Sequence, residues 1–339
     1  MDPATPASIE TSYVNQFREG FEQAYQQTTS KMDPYVEHES QSSEYDYYDR
    51  IGEAEEMQED NTRYADNPMS EIPHDRRRLG LRSYDLGKAI DEKDLMRVIT
   101  DPQNPYNMAL LASGKRKRDD VIFDRYFGRA YTGKAGAIDV DYCVSNTEGG
   151  SDKITVGEIS NGSSNKIAAT GGRYVLKSGN YEGISVGSEF ALTGTPGASG
   201  LTLDKLKAIR TTMLRVEGIE DDTKLNCFIT SRQAEDLLNI DEIINADYAF
   251  TKALAEGKVA SFMGFNFITS ERIPMVGDER RCIVSLPRAF KLAVGKELTG
   301  DIWRLSGKKK IPYIYYKQSI DGSRMWGEIA GEIRCDESV

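Results

Sequence analysis

The sequence predicts an α+β chain, on three observations. One long helical segment stands alone at residues 104–128, between polar stretches. Residues 201–298 alternate short helices with short strands, as a mixed lobe does. Residues 311–336 carry the clearest strand signal, an apolar–polar alternation of period two.

At 339 residues the chain has room for one or two core-bearing lobes. It is 39% hydrophobic and 29% charged, with no run of 18 apolar residues that would read as a membrane span. The start, Met1-Asp2-Pro3-Ala4-Thr5, has no basic and apolar leader, so no secretory signal is expected. The four cysteines, Cys143, Cys227, Cys282 and Cys335, are widely spaced and read as reduced, mostly buried thiols. The two histidines, His38 and His74, have no companions at metal-ligand spacing.

The net charge of −11 is concentrated. Between Asp33 and Asp66 there are twelve acids and only two bases, Arg50 and Arg63. That balance disfavours a protein that grips nucleic acid over its whole surface.

Residues 12–29 form an amphipathic helix candidate, with Val14, Phe17, Phe21 and Tyr25 on one face. Residues 31–80 are acidic, rich in tyrosine and poor in Leu, Ile and Val. Disordered acidic tails usually lack aromatics, and tyrosine is enriched where proteins meet, so an arm ordered against another subunit is expected. The segment ends in the abrupt reversal Arg76-Arg77-Arg78. In the long helix, Asn104 is the expected N-cap, Pro105 the first helical residue and Gly128 the stop. About 24 residues at 1.5 Å each make a rod of roughly 36 Å. Its middle reads Lys115-Arg116-Lys117-Arg118-Asp119-Asp120, and four consecutive bases span a full turn, so they colour every side.

Residues 145–200 are rich in Gly, Ser, Thr and Asn, with short strand-like pieces at 154–156, 166–168 and 173–176. Beyond them, Thr202 is expected to cap a helix through Leu206, Ile209, Met213 and Val216 to Gly218. Ser231 is expected to cap a second helix and Asn245 a third. Strands are expected at 227–230, 264–268 and 281–285. At the C-terminus, Asp321-Gly322 reads as the two-residue turn of a long hairpin joining 311–320 to 323–336.

No motif carries chemistry. Residues 128–135 approach a phosphate-binding loop, but Ala135 stands where magnesium needs a Ser or Thr, and the stretch follows a helix instead of a strand. Lys308-Lys309-Lys310 reads as an exposed loop that could touch phosphate. No catalytic, cofactor-binding or metal residue is expected.

The order of parts resembles the major capsid proteins of tailed phages, which share the Hong Kong 97 capsid fold. Strings within the chain carry the resemblance: Ala89 to Asp94 followed by Thr100-Asp101-Pro102 and Tyr106; Leu201 to Leu206; Ala246-Asp247-Tyr248 with Lys252-Ala253-Leu254 and Gly257; and Gly264-Phe265 before Ile273-Pro274. It covers most of the chain and is weakest over 145–200. The resemblance implies an N-terminal arm at 1–30 and an extended acidic loop at 31–80. It implies a peripheral domain of 81–144 and 311–339, with a spine helix at about 104–128 and a long C-terminal hairpin. An axial domain with a Gly/Ser-rich insertion would occupy 145–310.

The function so implied is structural, not enzymatic. Copies would assemble as hexamers and pentamers into an icosahedral head around double-stranded DNA, which they contact non-specifically. Assembly would take place in the host bacterial cytoplasm and end in the virion, with a portal and possible decoration proteins. The arm begins the chain almost at once, so a separate scaffolding protein is expected. The expected inter-subunit contacts are Glu53, Glu55, Glu56, Glu59 and Asp60 on one side and Arg76, Arg77, Arg78, Lys115, Arg116, Lys117 and Arg118 on the other. The rival readings are a decoration or tail component, which the long basic helix disfavours, an α/β enzyme with an unrecognised site, and a nucleic-acid-binding module.

Overall fold

The computed structural model describes residues 26–52, 71–89, 103–142, 165–169, 173–177, 181–188, 198–214, 223–240, 261–305 and 311–338, with isolated positions 54, 57, 59, 69, 190, 219 and 307. The helix expected after Asn245, the strand at 154–156, Cys143 and residues 12–25 of the helix expected at 12–29 lie outside these residues; residues 26–29 are described and are not helical.

The long helix, α1, runs Gln103–Phe127 and stops at Gly128. It starts before the expected cap, so Pro105 falls inside the first turn, where the backbone N–H still has no helical partner. Two further helices, α2 (Leu203–Met213) and α3 (Ser231–Leu238), match expected positions. Thr202 caps α2, accepting from the Lys205 N–H at 3.4 Å. That helix ends at Met213, short of the expected Gly218, and Val216 and Gly218 lie outside the described residues. Thr230, not Ser231, caps α3, because Gln233 reaches back to the Thr230 N–H at 3.1 Å and closes a capping box.

Three sheets organise the strands. The four-stranded sheet has the order β1 (Glu37–Ser40), β16 (Phe290–Leu305), β17 (Ile311–Arg324), β4 (Ser83–Ala89). The five-stranded sheet has the order β2 (Tyr45–Ile51), β3 (His74–Gly80), β5 (Ala130–Thr132), β6 (Ile138–Tyr142), β9 (Tyr181–Glu182). The nine-stranded sheet is built on β11 (Leu225–Ile229), β13 (Phe265–Thr269), β15 (Glu279–Ser285), β18 (Ala330–Asp336) and β10 (Ile184–Val186). Its ends are β12 (Ser261–Phe262) on one side and β8 (Arg173–Lys177) with β7 (Asn165–Ala169) on the other, and β14 (Met275–Val276) pairs β15. Residues 128–135 thus enter the β5–β6 hairpin, not a phosphate loop.

The nine-stranded sheet is covered on both faces, which is why its central strands read as nearly unbroken apolar runs. One face packs Cys227, Cys282, Val284, Ile333 and Cys335 against Leu206, Ile209 and Met213 of α2. The other packs Phe228, Ile283 and Ala330 with Ile122, Phe123 and Tyr126 of α1. The described cysteines are buried and free.

The C-terminal hairpin differs from expectation. Asp321-Gly322 is not a turn: β17 runs straight through it, with Gly322 opposite Leu292. The glycine is there for packing, since a Cβ would collide with the Phe290 ring. The aspartate is held by Arg125, whose Nε donates to Oδ1 at 2.6 Å and Nη2 to Oδ2 at 2.9 Å. The hairpin partner of β17 is β16, and the chain reverses between Leu305 and Ile311. A division at 310/311 would therefore cut one hairpin in two. After Arg324 a short 3-10 turn (Gly327–Ile329) redirects the chain, and β18 inserts between β15 and β10. The expected alternation survives in β18: Ile333 and Cys335 face α2, while Glu332 and Arg334 face away. Burial disfavours ionised Glu332, but Arg281 and Arg334 outweigh it and hold the carboxyl below its usual range.

A buried ion cluster joins the sheets to the helix. Arg324, with no exposed surface, donates to Glu182 at 3.1 Å, to the Val140 carbonyl at 3.1 Å, and to the carbonyls of Tyr126 and Gly128. Arg77 of β3 shares the same glutamate. Removing one partner of such a cluster strands buried charge. Arg324→Met is expected to lower subunit stability by about 3–5 kcal/mol, read as a fall in the urea midpoint; an unchanged midpoint would contradict a structural role for the cluster.

Candidate subunit interface

The acidic segment is not a plain extended loop. Within it β2 and β3 pair antiparallel, with Tyr47 opposite Arg78, Tyr48 opposite Arg77 and Asp49 opposite Arg76. The sign reversal in the sequence is a cross-strand pairing of opposite charges. Arg76 Nε donates to Asp49 at 2.5 Å, and the Arg76 guanidinium stands 5.8 Å from the Tyr47 ring. Arg78 lies between the rings of Tyr45 and Tyr131, at 5.2 and 4.5 Å. Arg77 is 1% exposed and tied to Glu182, so it presents no surface to a neighbour.

The bases of α1 are likewise engaged within the chain. Arg116 donates to the Gln26 side chain at 2.7 Å and to the Gln27 carbonyl at 3.3 Å. The Lys117 ammonium stands 4.9 Å from the Tyr84 ring. Arg118 lies 2.7 Å from Asp33 and 3.2 Å from Glu297. Lys115 is half-buried. As four bases spanning a full turn must, they face different sides: Arg116, Lys117 and Arg118 meet different neighbours within the chain.

The residue that reasoning missed is Asp119. It is fully buried, and its carboxylate accepts from the Lys31 N–H at 3.0 Å and the Met32 N–H at 3.1 Å, as well as from Ser30 and Gln27. Next to it, Asp120 takes Arg272 at 2.7 and 2.5 Å. In sequence Asp119 looks like one more surface charge in a charged run. Only its place on the helix face toward the arm distinguishes it.

Glu53, Glu55, Glu56 and Asp60 lie outside the described residues, while Glu59 is exposed. Met57 and Met69 are 102% and 96% exposed, and Ile51 and Ile72 are exposed with them. At the neck of the hairpin, burial works against ionised Asp75, but hydrogen bonds from Thr132, Arg50 and the Arg76 N–H, with the Arg50 charge, hold its pKa down at about 2.

The profile of a family described as phage capsid protein matches residues 9–337. Solved structures share the fold at low identity. The capsid structure of the Cyanophage P-SCSP1u superposes with a TM-score of 0.66 at 12% identity, covering 99% of this chain and 96% of that one. The capsid of Ralstonia phage GP4 gives 0.63 at 10% identity, covering 99% and 98%. The capsid of a native GTA particle gives 0.62 at 13% identity, covering 99% of each. No curated protein matches by sequence.

Asp119→Ala would leave the Lys31 and Met32 amides without an acceptor, a cost of about 1–3 kcal/mol. Their hydrogen-exchange protection is expected to fall while that of β15 and β18 is retained. For Asp75, the folded pKa of about 2 lies below the ordinary 3.8. Its contribution is thus complete above pH 4 and lost as the pH falls from about 4 to 2. The side chain is 39% exposed, so after solvent screening the contribution is about 1 kcal/mol. Urea titrations of the Asp75→Asn chain should lack that acid-dependent step.

Proposed function

The chain belongs to the phage capsid protein family, and on that premise we propose how its copies hold one another. It is a major capsid protein with a fold of the Hong Kong 97 type, a virion component that builds the icosahedral head. Its role in the virion is structural. In the proposed arrangement each subunit has a peripheral body, α1 with the β1–β16–β17–β4 sheet, and an axial body, the nine-stranded sheet with α2 and α3. The arm is latched on α1 of its own chain, and the acidic end of the β2–β3 hairpin reaches across the adjacent subunit of a pentamer or hexamer.

One observation supports this reading: Met57, Met69, Ile51 and Ile72 are exposed inside an acidic segment. Within the chain, Arg76 and Arg77 are committed to Asp49 and Glu182, and Arg116 and Arg118 to the arm, Asp33 and Glu297. The acids Glu53, Glu55, Glu56, Glu59 and Asp60 are therefore proposed as the acidic side of the contact. Of the basic set, Lys115 remains a proposed receiver. Arg76, Arg78, Arg116, Lys117 and Arg118 are proposed to act chiefly by shaping their own subunit. Reading the same family role further, a scaffolding protein and a portal would act with the chain during assembly in the host cytoplasm. Decoration proteins could join the finished head, whose inner face would touch packaged double-stranded DNA without sequence preference.

Expression of the full chain, alone and with a co-expressed scaffold, is expected to yield uniform shells by negative-stain microscopy; a monodisperse monomer under every condition would contradict the reading. Converting Glu53, Glu55, Glu56 and Glu59 to Gln and Asp60 to Asn is expected to slow assembly and flatten its salt dependence. Light scattering between 50 and 500 mM salt, a range over which exposed charges become screened, is the measurement. Parent-like salt dependence in the variant would exclude these acids from the contact.

A further inference from the structure

The inner face of the β2–β3 pair carries a patch of four polar side chains. Tyr48 stands opposite Arg77, and Arg50 opposite Asp75. Strand alternation puts these four on the face turned to the body, and Tyr47, Asp49, Arg76 and Arg78 on the other. The body encloses the patch. Thr132 of β5 donates to Asp75, and Glu182 of β9 accepts from Arg77 and Arg324. The Met325 carbonyl accepts from Arg50, whose guanidinium stands 5.1 Å from the Trp326 ring.

Donors and acceptors in this patch do not balance. Arg77 is 1% exposed and donates through Nη2 to Glu182, but its Nε and Nη1 are buried with no hydrogen-bond partner. The Arg50 Nε and the Tyr48 hydroxyl are buried and unpartnered as well. Burial, with Asp46 and Glu39 adding to it, raises the Tyr48 pKa to about 12, so the phenol keeps its proton and can donate. Four unpartnered groups on neighbouring side chains of one face are thus all able to donate. The carboxylates are already engaged, Asp75 by Arg50, Thr132 and the Arg76 N–H, and Glu182 by the two arginines. Among these side chains three cations, Arg50, Arg77 and Arg324, face two carboxylates.

Buried N–H groups of a guanidinium are costly without an acceptor. A water would bring two hydrogens of its own, and the tyrosine oxygen could receive only one of them. An anion accepts from every side and also answers the excess of cations. The near-complete burial of Arg77 favours an ion without bulk over a phosphate or a carboxylate from another molecule. We propose that Tyr48, Arg50 and Arg77 form a binding site for a monatomic anion of the halide class. Such an ion would tie β2 and β3 to the body at Met325 and Glu182, and would stabilise the subunit as its concentration rises.

The test is a titration of the full chain, in a gluconate buffer free of halide, with sodium chloride at constant ionic strength. Chloride that exchanges with a site on a slowly tumbling protein shows excess nuclear-resonance linewidth. The parent is expected to give an excess that saturates and that bromide displaces. Tyr48→Phe keeps the ring beside Lys291 and removes one donor, so it is expected to bind chloride about tenfold more weakly. Arg77→Lys is expected to lose the saturable excess. Arg129→Lys, a change at an exposed ion pair with Asp139 and Asp141, is expected to behave as the parent. A parent without saturable excess would overturn the proposal. Parental affinity in folded Arg77→Lys, or in Tyr48→Phe, would overturn it equally, and Tyr48→Phe decides alone if Arg77→Lys does not fold. Loss of the excess in Arg129→Lys would assign the binding to exposed arginines and overturn it as well.

Discussion

The Arg324–Glu182–Arg77 cluster is the interaction on which the arrangement of the other elements depends. Two guanidinium groups share one carboxylate in a site with almost no solvent. Burial pulls the Arg77 pKa down, with Glu182 opposing it. The balance is met by backbone. Arg324 takes the carbonyls of Tyr126 and Gly128, where α1 ends and its dipole is negative. Arg324 therefore acts as the C-terminal cap of α1, as the end of β17, and as the anchor of β6 through Val140. Arg77 brings in β3 and hence the hairpin. A single buried cluster so fixes the direction of the long helix relative to the hairpin that leaves the body beside it.

Further along α1, buried and half-buried charges do the same. Asp119 takes the arm, Asp120 takes Arg272, and Arg125 takes Asp321 of β17. Each pair alone would contribute little at a surface. Here they lie partly buried along one helix and hold three different segments to it. The helix is thus a rigid member with directed attachments, and its polarity is the means of attachment. A wholly apolar helix of this length would pack as well but would not distinguish the arm from the loop that carries Arg272.

For a shell-building subunit this has a consequence. Charges that are satisfied inside the chain shape the subunit before it meets another. Contacts between copies can then be individually weak and still select one register, because each is repeated around a ring and over the shell.

Much of the fold was legible in the residues. Pro105 and Gly128 marked α1, Thr202 marked α2, and the short apolar runs at 227–230 and 281–285 marked strands. These are local properties, set by propensity, capping and side-chain period. The order of parts also carried the family. Asp321-Gly322 shows where local reading ended: the same dipeptide serves as a turn or as a place for Phe290 to lie and Arg125 to bind, and only the packed partner decides. The charge runs show the same limit. Sequence gives the sign and the number of charges, and from these came one acidic surface facing one basic surface. Tertiary structure decided that most of the bases are spent on the chain itself, because which carboxylate a guanidinium meets depends on helix rotation and strand register across separations such as the 105 residues between Arg77 and Glu182, which no local pattern encodes.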